Sequence, residues 1–252
     1  MALLSACSSA GGGGGSVTIA NSQPPDSQTT DFGIVYIKRT VPTAQDDLRL
    51  RRTFMPQADL YLLHPSSTGG TELNVTTRVT GKAPKGSFYD LKDVDVSSDG
   101  SKVVFAMRGP LTPTQKDRDP PNWNIWEYVV ASDDLHTILP TTDPAGTGSQ
   151  YISPHYLADG RILFATTRQF GSGAVLINEG KPEFEGQTED LDESAFVLHV
   201  MAADGSGMHQ ITYNQSHDID ATVLSSGRVM WSRWDHANGN SGIHFYSSNP
   251  DG

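Results

Sequence analysis

Three copies of one hairpin sequence constrain the fold of this 252-residue chain more than any other feature. Each copy has a short strand-like stretch, a turn that ends in glycine, and a second, more apolar stretch. The copies are Asp93–Arg108, Ser153–Arg168 and Ser216–Asp235, with turn glycines Gly100, Gly160 and Gly227. Glycine turns between β-rich runs predict hairpins, because such turns need residues at positive φ; for Asp-Gly a type I′ turn is expected. Three hairpins of one design indicate a repeat protein.

Two further strands extend the repeat to four. Predicted third strands are Ala58–His64, Asn124–Val130, Ala195–Met201 and Gly242–Tyr246, and shorter fourth strands are Thr71–Thr76, Leu135–Leu139 and Met208–Thr212. Repeated four-stranded units build a β-propeller, in which the first strand of each blade lines the central channel. We therefore predict an all-β fold, a β-propeller with blade units at about 32–77, 88–140, 150–213 and 217–252.

The first and last units are predicted to be incomplete. The first has no candidate for its first strand, and the last has none for its fourth. Propellers have typically about 4–8 blades. We expect the chain to be the N-terminal part of a longer protein, with three to four blades of a larger ring and the remaining blades elsewhere in that longer chain.

Charge, hydropathy and cysteine content exclude several classes of partner and site. A net charge of −11 argues against a nucleic-acid surface, which needs a basic stripe. No run of about 18 consecutive apolar residues occurs, so no helical membrane span is predicted. The single cysteine, Cys7, allows neither an internal disulfide nor a Cys-x-x-Cys-His haem site. We predict no cofactor for these residues.

The N-terminus predicts a lipid anchor. Leu4-Ser5-Ala6-Cys7 has the form of a bacterial lipobox, and the glycine-rich stretch after it is typical of a flexible tether. Residues 1–31 are therefore predicted to be a lipoprotein signal remnant and tether, with Cys7 lipidated and attached to a membrane. The expected location is the periplasmic side of the cell envelope, at the outer membrane. One departure is plain, because no basic residue precedes Cys7.

Several motifs resemble known propeller families. Ser153-Pro-His-Tyr-Leu-Ala-Asp-Gly160, followed by Ile162–Arg168, resembles the blades of the periplasmic Tol-system propeller family. Phe88–Ser97, Trp123–Tyr128 and Asn214–Asp220 resemble bacterial lipoproteins related to the hydrazine synthase alpha subunit. The resemblance covers about residues 32–252 and implies a propeller fold in the cell envelope. The haems of hydrazine synthase lie beyond its propeller, so the resemblance implies no chemistry here.

Three functions are compatible with these features. The preferred one is a lipid-anchored binding or scaffolding module with a protein partner in the cell envelope. The second is the non-catalytic propeller portion of a larger envelope redox enzyme that contains haem. The third is a propeller hydrolase acting on peptide or glycan. No Gly-x-Ser-x-Gly motif occurs, and we predict no catalytic residues in this stretch.

One cluster is predicted to bind a ligand or metal at the channel mouth. It consists of His217, Asp218, Asp220, Asp235 and His236, whose imidazole and carboxylate groups are donors for divalent metals. The competing interpretation is structural. In that case Asp220, like Asp93, hydrogen-bonds the backbone of a neighbouring blade. His217 and Asp218 would then be additional side chains that the blade itself does not need.

Tryptophans and an acidic segment complete the candidates. Trp126 and Trp231 occupy positions held by apolar residues in sister repeats, which predicts core packing, whereas Trp123 and Trp234 fit either packing or stacking on a ligand. The acidic segment 171–194 is predicted to be a solvated surface, with a cation- or partner-binding loop as the alternative.

Overall fold

The computed structural model describes residues 32–39, 57–65, 69–111, 121–139, 148–168, 195–214, 217–237 and 240–252. These residues form four antiparallel sheets, each lying within one of the predicted repeat units. Cys7 and the acidic segment 171–194 lie outside the described residues.

The strands follow one another in simple antiparallel order within each sheet. The first sheet contains β1 (Ile34–Lys38), β2 (Asp59–His64) and β3 (Thr71–Asn74), and a short helix α1 (Thr77–Thr80) follows it. The second contains β4 (Phe88–Val96), β5 (Lys102–Leu111), β6 (Asn124–Val129) and β7 (Asp134–Thr137). The third contains β8 (Tyr151–Tyr156), β9 (Ile162–Thr166), β10 (Val197–Met201) and β11 (His209–Gln210). The fourth contains β12 (Asp218–Val223), β13 (Val229–Ala237) and β14 (Asn240–Ser248).

Sheets adjacent in sequence pack face to face. β4 packs against β8 and β8 packs against β12, so the first strands of the second, third and fourth sheets lie side by side. This is how consecutive blades pack in a propeller. The prediction of an all-β, propeller-type fold is confirmed. Among the described residues, no helix is long and apolar enough to span a membrane.

The glycine turns differ in detail from the predicted type I′ geometry. In the first of them Gly100 has φ 71°, and its N–H donates to Ser97 O at 2.8 Å, while Ser97 N–H donates to Lys102 O. Asp99 is not at positive φ, so the loop is a type I turn that ends in one left-handed residue. Gly160 and Gly227 repeat the arrangement with φ values of 86° and 81°.

A second left-handed residue marks the first strand of each of the last three sheets. Asp93, Ser153 and Asp220 have φ values of 55°, 52° and 51°, and the strand register shifts at each of them. An extra residue at such a bulge re-aims the side chains that follow it.

Apolar side chains fill the interfaces between neighbouring sheets. Leu60 and Phe105 pack between the first and second sheets, and Ile125 and Phe164 pack between the second and third. Trp231 is buried between the third and fourth sheets, and Trp126 packs against the core between the first and second sheets. Both therefore pack in cores, as predicted. Because alternate strand residues point to opposite faces, the second and third sheets each contribute to the cores on both of their sides.

Carboxylates of the second sheet hold the first strand of the third. Asp93 accepts the Ser153 N–H at 2.9 Å, and Asp95 accepts the Tyr156 N–H at 2.8 Å. The buried Glu127 accepts the Tyr156 hydroxyl at 2.9 Å. Burial and the Glu127 carboxylate raise the pKa of Tyr156 well above its usual range, so its hydroxyl stays a donor.

The hydrogen bond from the Tyr156 N–H to Asp95 makes the free energy of unfolding depend on pH. Burial raises the pKa of Asp95, but His155 and the Tyr156 N–H outweigh burial and leave the pKa below its ordinary value. The charged form therefore stabilises the fold, and this contribution is lost as pH falls through the lowered pKa. We expect Asp95→Ala to reduce the free energy of unfolding by about 1–2 kcal/mol at pH 7 and by less at pH 2.5.

Urea unfolding at the two pH values measures this effect. Asp251→Ala, which removes an exposed carboxylate, is the matched control and should change stability by less than about 0.5 kcal/mol at both. A loss for Asp95→Ala that is the same at pH 7 and pH 2.5 would contradict the assignment.

Candidate functional site at the mouth end of the sheets

Charged and aromatic side chains gather at one end of the sheets. At this end the first strand of a sheet begins, the second strand ends and the third begins; we call it the mouth end. The turns with Gly100, Gly160 and Gly227 lie at the opposite end. Two groups of residues define the mouth end, one around Asp90 of the second sheet and one between the last two sheets.

The first mouth cluster surrounds the buried carboxylate of Asp90. Asp90 Oδ1 lies 3.4 Å from Arg39 Nη1, and Asp90 Oδ2 lies 3.7 Å from Arg108 Nη2. Arg39 also donates a hydrogen bond to the Leu91 carbonyl. The Arg108 guanidinium carbon lies 4.5 Å from the ring centroid of Trp123, and Lys92 Nζ lies 5.0 Å from it.

Burial sets the electrostatics of this cluster. Asp90, Arg108 and Trp123 are buried, whereas Arg39 and Lys92 keep 31% and 30% of their side-chain area exposed. Burial lowers the pKa of Arg108 to about 10, and the Asp90 carboxylate opposes this shift. The indole face of Trp123 adds a cation–π attraction for both Arg108 and Lys92. The buried charges of Asp90 and Arg108 are thus bordered by two partly exposed cations, Arg39 and Lys92.

The second mouth cluster is built on an ion pair between β12 and β13. Asp218 is 0% exposed, and its two carboxylate oxygens accept Arg233 Nε at 2.7 Å and Arg233 Nη2 at 2.9 Å. Arg233 also lies over the Tyr246 ring at 4.6 Å. This bidentate arrangement fixes the guanidinium plane as well as its position.

His217 joins the same cluster to the third sheet. Its Nδ1 accepts the Phe196 N–H at 3.0 Å, so the proton of the neutral ring lies on Nε2. The ring stacks on Trp234, with centroids 5.8 Å apart and an interplanar angle of 11°. Asn214 Nδ2 donates to the His217 carbonyl at 3.3 Å and completes the connection. His217 is therefore part of the packing between sheets.

These contacts correct the roles expected for His217 and Asp218. Asp93 does bond the backbone of the next sheet, as the structural interpretation predicted. His217 and Asp218 are the buried residues that the sheets need. The Asp220 side chain is exposed, and its bond to a neighbouring blade stays a prediction. The extra residue at the bulge is the cause of this exposure, because it turns the Asp220 side chain away from the third sheet.

The remaining two predicted ligands lie at the end of β13. Asp235 and His236 pair through their backbones with Gly242 and Ser241, and their side chains lie outside the described part of the chain. Among the described side chains, no group of three or more His, Cys, Asp or Glu is arranged to hold a metal ion. Ligand binding by the five predicted residues stays a prediction.

Sequence reasoning misses the first mouth cluster. Asp90, Lys92 and Arg108 are not among the residues that the sequence predicts as ligands, and Trp123 fits both packing and stacking there. One signal is present, since an arginine recurs near the ends of the second strands, as Arg39, Arg108, Arg168 and Arg233. No local pattern shows which acid each arginine meets.

The four sheets and their packing place the chain in the β-propeller class. No family model matches the chain, and no curated protein matches it. Among solved structures it is similar to hydrazine synthase of Kuenenia stuttgartiensis, with 14% identity and a TM-score of 0.54 over 87% of this chain. It is also similar to an oligogalacturonate lyase of Vibrio parahaemolyticus, with 14% identity and a TM-score of 0.47, over 77% of this chain and 45% of the lyase chain.

The likeness to hydrazine synthase shows the fold alone, because the identity is low. The chain spans 30% of the length of the hydrazine synthase chain it matches. The resemblance expected from the motifs is thus supported at the level of a shared propeller-type fold.

Proposed function

We propose that this chain is a propeller segment of a lipid-anchored protein of the bacterial cell envelope, where it acts as a binding or scaffolding module. The observation that carries the proposal is the mouth end. At that end the buried carboxylates are paired with arginines, Asp90 with Arg39 and Arg108, and Asp218 with Arg233. Such groups give a rigid, charged surface, which suits recognition of a partner better than proton transfer.

The reachable cations would make the contact with a partner. Arg39 and Lys92 border the first mouth cluster with part of each side chain in solvent, while Arg108 and Trp123 hold the surface behind them. Carboxylate groups of a protein partner would pair with these two cations. The overall charge of −11 would repel an acidic partner elsewhere, so docking would be directed to this end.

Attachment to the membrane would come from Cys7. The lipobox-like Leu4-Ser5-Ala6-Cys7 and the glycine-rich tether support this part of the proposal. One acyl chain binds a membrane marginally, whereas several chains hold a protein firmly. A tether of this composition would let the sheets stand clear of the periplasmic side of the outer membrane.

Cys7→Ala tests the anchor. Expressed from the full-length gene with its own signal, the variant should move from the membrane fraction to the soluble periplasm and lose labelling by radioactive palmitate. Ser16→Ala, in the same tether, is the matched control and should stay in the membrane. Equal membrane fractions for wild type and Cys7→Ala would contradict the anchor.

A second candidate function is the non-catalytic propeller portion of a larger envelope redox enzyme. The fold likeness to hydrazine synthase over 87% of this chain favours it. The protein purified from its native membrane would then show the Soret absorbance of haem, with the haem held by a further domain of the longer protein. A native protein without this absorbance would leave the binding module as the proposal.

A further inference from the structure

One face of the fourth sheet is exposed although it is built like a core face. Val229 and Trp231 pack against the third sheet, so the alternate residues Met230 and Ser232 point to the other side. Their cross-strand partners are Ser247 and Phe245. The open face is defined as Asp220, Met230, Ser232, Ile243, Phe245 and Ser247. Phe245 is 77% exposed and Ile243 is 70% exposed.

The same repeat position is fully buried in the other sheets. Leu60, Ile125 and Leu198 correspond to Phe245, because each pairs with the equivalent residue of its second strand. All three are 0% exposed, since the next sheet covers them. A large aromatic residue in the fourth sheet thus occupies a position that the repeat uses for packing against a following sheet.

Asp220 is a second, polar feature of the open face that indicates packing against a following sheet. Asp93, its equivalent in the second sheet, has the same left-handed conformation and likewise lies seven residues before its turn glycine. The Asp93 carboxylate accepts the N–H of Ser153, which is the left-handed residue of the next sheet. Asp220 is exposed, so solvent reaches its carboxylate and an incoming N–H can do the same.

We propose that the open face binds a further antiparallel sheet of this same repeat, whose first strand carries a left-handed residue that donates its N–H to Asp220. A second copy of this chain fits less well. Within its described residues, the free face of its first sheet has no such first strand and carries the exposed ion pair of Lys38 and Glu72. The inference depends neither on the membrane anchor nor on the mouth end.

A fusion protein tests the proposal with a sheet of known sequence. Residues 134–213, which repeat β7 and the whole third sheet, are fused after Gly252 of the full chain. We expect the fusion to bind less of a hydrophobic dye than the chain alone and to melt at a higher temperature. Asp220→Gly should lower the melting temperature of the fusion by about 2–6 °C and that of the chain alone by less than about 1 °C.

Glycine is the informative replacement because a φ of 51° suits it, so the variant loses the carboxylate without adding strain. Asp93→Gly, whose partner N–H is already present, is the matched control and should lower the melting temperature of both proteins. The proposal fails if the fusion binds as much dye as the chain alone and Asp220→Gly has no effect in it. It also fails if the chain alone forms a dimer that Phe245→Lys dissociates, because the occupant is then a second copy.

Discussion

Asp218→Ala is expected to reduce the free energy of unfolding by about 3 kcal/mol, near the lower end of the range for breaking a buried ion pair. The carboxylate is fully buried and receives two charge-assisted bonds from Arg233, at 2.7 and 2.9 Å. Removing it leaves a guanidinium that is 20% exposed and has lost its bidentate partner. The melting temperature should fall by about 6–12 °C for a chain of this size.

A double-mutant cycle separates the ion pair from the packing around it. Arg233→Met and the double variant are measured by urea unfolding beside Asp218→Ala, and the coupling energy reports the pair. The exposed pair of Arg161 and Asp251, with 3.4 Å between its atoms, is the matched control and should be worth less than about 0.5 kcal/mol. A loss below about 1 kcal/mol for Asp218→Ala would show that this pair is not buried in solution.

Phe164→Ala is expected to reduce the free energy of unfolding by about 3–5 kcal/mol, because it leaves a cavity in the interface between the second and third sheets. Phe164 is fully buried, with its ring centroid 6.0 Å from that of Tyr151 and 5.8 Å from that of His199. The cavity is bounded by two sheets, so collapse around it requires the sheets to shift together. Phe164→Leu keeps most of the volume and should cost about 1–1.5 kcal/mol.

The chain offers a matched phenylalanine for comparison. Phe245→Ala removes the same atoms from a site that is 77% exposed and should change the free energy of unfolding by less than about 0.5 kcal/mol. Urea unfolding with unchanged m-values gives both numbers. Equal costs for the two alanine variants would contradict the core assignment of Phe164.

The strands and their grouping follow from local sequence. Apolar alternation and turn glycines such as Gly100, Gly160 and Gly227 act over a few residues, so they predict hairpins without knowledge of the rest of the fold. The repeat of the pattern then predicts the propeller class, because each unit needs a neighbour to bury its apolar faces. The predicted conformation within the turns is wrong in detail, since only the glycine takes positive φ.

The mouth end depends on tertiary structure. Asp90 meets Arg39, which follows β1 of the first sheet, and Trp123 meets Arg108 across a connection between strands. Residues brought together in this way share no spacing along the chain, so no periodic pattern reveals them.

The sequence by itself determined the repeat and the position of its strands, because turn preference and strand alternation are properties of neighbouring residues. Tertiary structure decided which of two nearby carboxylates is buried. Asp218 and Asp220 are two residues apart and would share a face in a regular strand. The left-handed bulge residue breaks that alternation, so Asp218 pairs with Arg233 inside the interface while Asp220 points to solvent.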